Sequence, residues 1–142
     1  MKIAIASDHG GFNLKKIITD YLSIKNIEFY DFGAHDTTSC DYPIYAKQVA
    51  QAILSGNFDR GILVCGTGVG MSIMANRFRG IRAVNTSDTY TAKMSRLHNN
   101  SNVLCLGQRV LGEGLALSIV DAWLNAEFEA GRHQRRIDML DN

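Results

Sequence analysis

Residues 61–65, Gly-Ile-Leu-Val-Cys, form an apolar run with no polar side chain to turn toward water. A strand of this kind needs cover on both faces, the condition of a central strand in a parallel sheet. The run ends at Cys65 and passes into Gly66-Thr67-Gly68-Val69-Gly70, a turn that leads into a helix through about Phe78. The same alternation extends along the chain. Ile3 to Ser7 reads as a buried strand, followed by a helix with Leu14, Ile17, Ile18, Tyr21 and Leu22 on one face. Ile27 to Phe32 is a second strand, and Pro43 suits the first turn of a helix whose inner face is Ala46, Val49, Ala50, Ile53 and Leu54. After the central run come a strand at Ile81 to Asn85, a helix at Thr89 to Leu97 and a strand at Val103 to Leu106. The last long helix carries Leu115, Ile119, Val120, Trp123 and Leu124 on one face. Strands alternating with helices predict an α/β fold, a Rossmann-like three-layer sandwich with a five-stranded parallel sheet and helices on both faces.

At 142 residues and 46% hydrophobic, the chain has the size of a single domain spanning 1–142 that buries its own core. A formal net charge of +1 argues against a nucleic-acid partner. The longest apolar runs are too short to cross a bilayer. The N-terminus enters a strand directly, without the apolar stretch of a signal peptide, so a cytoplasmic protein is expected. Three cysteines, Cys40, Cys65 and Cys105, lack the close spacing of a zinc knuckle or a redox pair, so reduced thiols in a reducing compartment are expected.

In a parallel sheet, ligands bind beyond the carboxyl ends of the strands. Asp8 and His9 follow the first strand, Cys65 ends the third and Arg109 follows the fifth, so all lie at that edge. Cys65 is the strongest candidate. The glycines after it allow a tight turn whose N–H groups face a bound anion, a setting that favours a thiolate. Such a turn alone says only that an anion binds, and it lacks both the dinucleotide spacing and the Lys-Ser/Thr of a P-loop. Asp8-His9-Gly10-Gly11 suits a sugar's hydroxyls or ring oxygen, and an Asp there equally caps the next helix. Tyr42 and Arg109 are weaker candidates at the same edge. His98-Asn99 falls at the amino end of the sheet, so His98 is either a surface histidine or serves a neighbouring subunit. The same holds for the basic tail, residues 131–142, where Arg132 and Arg136 are spaced to grip one phosphate from one helical face. Cys40 and Cys105 are assigned to structure, Met71, Met74 and Trp123 to the core, and His35 to no role. A nucleotide-binding module and a thiol redox protein are the alternatives from other classes, the latter weakened by the lack of a resolving cysteine near Cys65.

Taken together, Ser7-Asp8-His9-Gly10-Gly11-Phe12, Asp41-Tyr42-Pro43, Cys65-Gly66-Thr67-Gly68-Val69-Gly70-Met71-Ser72, Gly80-Ile81-Arg82-Ala83, Ser95-Arg96-Leu97-His98-Asn99, Gly107-Gln108-Arg109-Val110 and Gly131-Arg132-His133-Gln134-Arg135-Arg136 resemble the type B ribose-5-phosphate isomerases. That family also contains allose- and galactose-6-phosphate isomerases. The segments run in order along nearly the whole chain. The resemblance implies reversible isomerisation of ribose 5-phosphate and ribulose 5-phosphate through a cis-enediolate, with a hexose 6-phosphate as the alternative substrate and no metal or nucleotide. It implies Cys65 as the base moving a proton between C1 and C2, and backbone donors from Gly66, Thr67, Gly68, Val69 and Gly70 for the enediolate. It implies His98 of a partner subunit as the ring-opening acid, Asp8 and His9 binding the sugar end and helping ring opening, Asp8 and Thr67 among the catalytic residues, and Asn99 as a substrate contact. Arg109, Arg132 and Arg136 match the phosphate clamp. A homodimer or dimer of dimers with shared sites follows, with the tail packed on the partner.

Overall fold

The computed structural model describes residues 1–141; Asn142, at the end of the basic tail, lies outside the described residues. Five strands, β1 (Lys2–Ser7), β2 (Glu28–Asp31), β3 (Arg60–Cys65), β4 (Ala83–Asn85) and β5 (Val103–Gly107), form one parallel sheet in the order β2-β1-β3-β5-β4. Among the described residues six α-helices accompany them, one after each strand and a sixth at the end: α1 (Phe12–Ile24), α2 (Tyr42–Leu54), α3 (Val69–Ala75), α4 (Thr89–Asn99), α5 (Glu113–Asn125) and α6 (Arg132–Ile137).

Register and the two-residue strand period assign every central side chain to one layer. Ile5 pairs with Ile62, which pairs with Leu104, and these pack with Ile18 of α1 and Ile119 and Trp123 of α5. On the opposite face Ala6 pairs with Leu63 and Leu63 with Cys105, beneath Val49 and Ala50 of α2 and Met71 of α3. That second face is built largely from small residues, which lets α2 approach closely. At Gly61 a Cβ would lie 2.6 Å from Val49 Cγ1. Trp123 is fully buried and donates its indole N–H to Ser101 Oγ at 2.8 Å.

The fold matches the predicted class, with four local differences. Ile27 lies outside β2, because its N–H bonds back to Leu22 O and Asn26 takes φ 56°, so the chain is still leaving α1. Helix α3 stops at Ala75, since the Asn76 side chain turns to bracket the Ala83 backbone at 2.8 and 2.9 Å. Strand β4 begins at Ala83 rather than Ile81, whose N–H closes a turn on Phe78 O. Leu54 and Leu115, placed on inner faces by spacing, are exposed; the buried stripe of α5 is Ala116, Ile119, Val120, Trp123 and Leu124.

Lys15 is the polar residue that the helical pattern hides. It is 2% exposed and bonds Asp31 Oδ1 at 2.8 Å and the Ala34 carbonyl, tying α1 to the loop after β2. A buried ammonium persists only with such partners. Because β1 has β2 on one side and β3 on the other, the crossovers diverge there. That switch point opens the crevice beyond the carboxyl ends of β1 and β3. Among the described residues no helix is long and apolar enough to cross a membrane.

Candidate active site

Cys65 closes β3 at that crevice and is 5% exposed. The backbone then folds over it. Gly68 takes φ 84°, a left-handed conformation that glycine adopts without strain, and donates its N–H to Cys65 Sγ at 3.1 Å. That bond fixes the sulfur at the mouth of the turn. Helix α3 starts at Val69, so the N–H groups of its first turn have no intrahelical acceptor, and Val69 uses Thr67 Oγ1 at 3.3 Å. The end of β5 fastens the turn, through Gln108 N–H to Cys65 O at 2.9 Å and Arg109 N–H to Gly66 O at 3.0 Å.

Contact at Gly107 is close enough to exclude any side chain, since a Cβ there would lie 2.6 Å from Thr67 O. Gly107→Ala is therefore expected to shift the turn and lower kcat/KM by about 10^2-fold, a typical cost of misplacing reacting groups by about 1 Å. Steady-state kinetics beside a circular-dichroism melt checks this, with the fold retained.

Three further groups converge on the turn. Asp8 is buried, and its Oδ1 accepts the N–H groups of Gly10 at 2.9 Å and Gly11 at 3.2 Å, while Oδ2 takes no part in this cap. The capping role thus falls on one oxygen alone. His9 Nδ1 accepts the Cys40 N–H at 3.1 Å, which leaves the ring proton on Nε2 as a donor. Arg109 spans both glycine turns: a Cβ on Gly66 would lie 3.0 Å from its Nη1, and one on Gly10 3.6 Å from its Nη2. The ring of Tyr42 covers Gly70, where a Cβ would meet it at 2.8 Å. Asp8, His9, Tyr42, Cys65, the 66–70 turn and Arg109 therefore share one edge of one chain.

Tyr45 belongs with this group although the sequence did not single it out. Burial first, then Cys40, Asp36 and Asp8, raise its hydroxyl above the ordinary tyrosine range. Its signal was position, one helical turn after Tyr42 on α2. Burial, with a contribution from Cys65, pushes the Cys105 thiol up, which keeps it protonated and inert. A cavity of about 460 Å3 opens beside the turn, lined by Thr67, Val69, Asn85, Asp88, Gly107 and Val110 among others. It shares the turn with Cys65 without reaching the sulfur.

His98, Asn99 and Arg136 lie together elsewhere, lining a cavity of about 290 Å3 with His133. Helix α4 runs back from β4 to the start of β5, so this cluster sits at the amino end of the sheet. Arg82 closes the end of α4, with Nε bonding Asn99 O at 3.1 Å and Asn100 O at 3.0 Å. The His98 and His133 rings stack at 4.3 Å with 12° between planes. Burial, the facing His98 and Arg132 hold His133 below the ordinary histidine range. The predicted residues thus fall in two clusters at opposite ends of one sheet.

The ribose/galactose isomerase family profile matches residues 3–140. The chain is 52% identical over 139 residues to ribose-5-phosphate isomerase B of Escherichia coli (strain K12), covering 98% of this chain and 93% of the relative. Ribose-5-phosphate isomerase B of Clostridium thermocellum superposes with a TM-score of 0.98 at 53% identity, covering 99% of this chain and 95% of that one. The Mycoplasma genitalium ribose-5-phosphate isomerase B, solved with bound ribulose-5-phosphate, gives 0.92 at 44% identity, covering 98% and 93%.

Proposed function

The chain belongs to the ribose/galactose isomerase family, and from that premise we propose that it interconverts ribose 5-phosphate and ribulose 5-phosphate with Cys65 as its base. The observation that carries the assignment of the base is the Gly68 N–H held on Cys65 Sγ, at the mouth of a turn with unpaired N–H groups. Isomerisation needs a proton taken from C2 of the open-chain aldose and returned to C1. The Cys65 thiolate takes it and the resulting thiol returns it, while the hydroxyl proton of O2 passes to O1 in the intermediate, so no net proton is lost. Between the two steps the substrate is a cis-enediolate. The N–H groups of the 66–70 turn that neither Cys65 Sγ nor Thr67 Oγ1 takes up stabilise its oxygen, each such donor contributing about 3 kcal/mol. Thr67 positions this turn through its hydroxyl on Val69.

A furanose must open first. His98, contributed by a second subunit, protonates the ring oxygen while Asp8 and His9 hold the sugar end. Asn99 of that subunit contacts the substrate. Arg109 from one chain and Arg132 and Arg136 from the other grip the phosphate, with the planar guanidinium geometry suited to it. The catalytic unit is thus a homodimer, or a dimer of dimers, in which the two half-sites meet across the interface and the 131–142 tail packs on the partner. Each chain is read as one catalytic domain, and a phosphorylated sugar substrate is in keeping with a cytoplasmic enzyme.

The test is conversion of ribose 5-phosphate by the purified protein with a metal chelator present and allose 6-phosphate run in parallel. Turnover of the ribose compound in the ordinary enzymatic range, about 1–10^3 s^-1, is expected, unaffected by the chelator. Turnover of the hexose alone would overturn the substrate assignment, and no turnover of either, with tight nucleotide binding, would overturn the reaction class.

A further inference from the structure

His98 shares a donor set with two residues, Glu129 and His133, that isomerisation does not use. His98, Glu129 and His133 each offer one ligand atom, all within 4.8 Å of one another. They come from three separate segments. His98 is in the last turn of α4, and Glu129 is pinned to the same turn by its N–H on Leu97 O at 3.0 Å. Ala130 and Gly131 then reverse the chain with φ of 56° and 59°, which brings His133 back against both. His133 is 6% exposed, its Nε2 has no hydrogen-bond partner, and that atom lies 3.8 Å from Glu129 Oε2. A buried, orphaned imidazole nitrogen aimed at a carboxylate and a second imidazole wants an electrophile.

We propose that His98, Glu129 and His133 bind a divalent transition metal of the zinc class, and that its occupancy withholds His98 from proton donation. Two neutral imidazoles and one carboxylate are a donor set suited to zinc, with a fourth position left open. At metal–ligand distances of about 2.1 Å, donor atoms in a tetrahedral site lie about 3.4 Å apart, so the widest of these separations must contract by up to about 1.4 Å. Glu129 is exposed and free to swing, and the ring stack opens as His98 tilts toward the ion. Arg132 and Arg136 stand beside the site, and their charge weakens binding of a cation. That makes the site reversible and inhibitory, unlike a structural zinc. The inhibition rests on the role proposed for His98; the binding does not.

Cobalt(II) is the probe, added to the Cys65→Ala protein so that this thiol cannot contribute. The expected result is one cobalt per chain, with visible absorption of a nitrogen- and oxygen-ligated ion and no sulfur charge-transfer band. Adding Glu129→Gln or His133→Gln should abolish it. Glu129→Gln, an exposed and nearly isosteric change, keeps the test valid if the buried His133 variant fails to fold. In the otherwise native enzyme zinc should inhibit and a chelator should restore the rate. Glu129→Gln should keep the basal rate and raise the half-inhibitory zinc concentration by more than about tenfold. Absent cobalt absorption, or zinc inhibition unchanged in Glu129→Gln, overturns the site. Cobalt bound as predicted without zinc inhibition upholds the site and overturns instead the role given to His98.

Discussion

Replacing Cys65 by alanine is expected to lower kcat/KM for ribose 5-phosphate by about 10^3-fold or more, the scale of losing a positioned base. The fold should survive. Sγ fills a small volume beneath α3, and its loss leaves one Gly68 N–H without an acceptor, a cost of about 1–2 kcal/mol. Cys65→Ser separates the two roles: its hydroxyl is a far weaker acid than a thiol and ionises little near neutral pH, so the rate should fall as in the alanine variant. Product binding by calorimetry should change little in either variant, because the phosphate is held by arginines. A Cys65→Ala enzyme within tenfold of the native rate would remove the thiol from the chemistry.

The second large effect is a recovery. Cys65→Ala and His98→Asn homo-oligomers should each be nearly inactive. Dissociated, mixed in equal amounts and reassociated, half the dimers pair one of each, and each of those has one site with both groups intact. Random pairing in a two-fold dimer then restores about a quarter of native activity. The separation of the two half-sites is what dictates this: β3 carries Cys65 to one end of the sheet, and α4 returns His98 to the other. Purified heterodimers without activity would show that both groups must come from the same chain.

The sheet was legible because a strand covered on both faces has no polar side chains, as at 61–65 and 103–106. Cys65 was legible because the turn after it concentrates glycines, and the structure shows a reason for two of them in Gly68's left-handed φ and the Tyr42 ring over Gly70. Lys15 and His133 were not. A lysine beside a helical stripe looks solvated until Asp31 and Ala34, brought by another element, close around it. His133 sits in a run of four basic residues and Gln134, and only the reversal at Ala130 and Gly131 turns it inward. Leu115 failed for the opposite reason, since spacing identifies a stripe but not its edge, and on α5 it is Ala116 that is buried while Leu115 faces out. Pairings between distant segments, such as His9 with Cys40 and Gly107 with Thr67, leave no periodic trace along the chain.

The most direct measurement is proton exchange followed by NMR in deuterated water. Ribulose 5-phosphate at equilibrium with the native enzyme should take up deuterium at C1, at a rate comparable to or faster than turnover, because the Cys65 thiol can trade its proton with solvent before returning it. With Cys65→Ala that uptake should cease although the sugar phosphate still binds. Deuterium entering C1 at an undiminished rate in the alanine variant would contradict the account, since some other group would then be moving the proton.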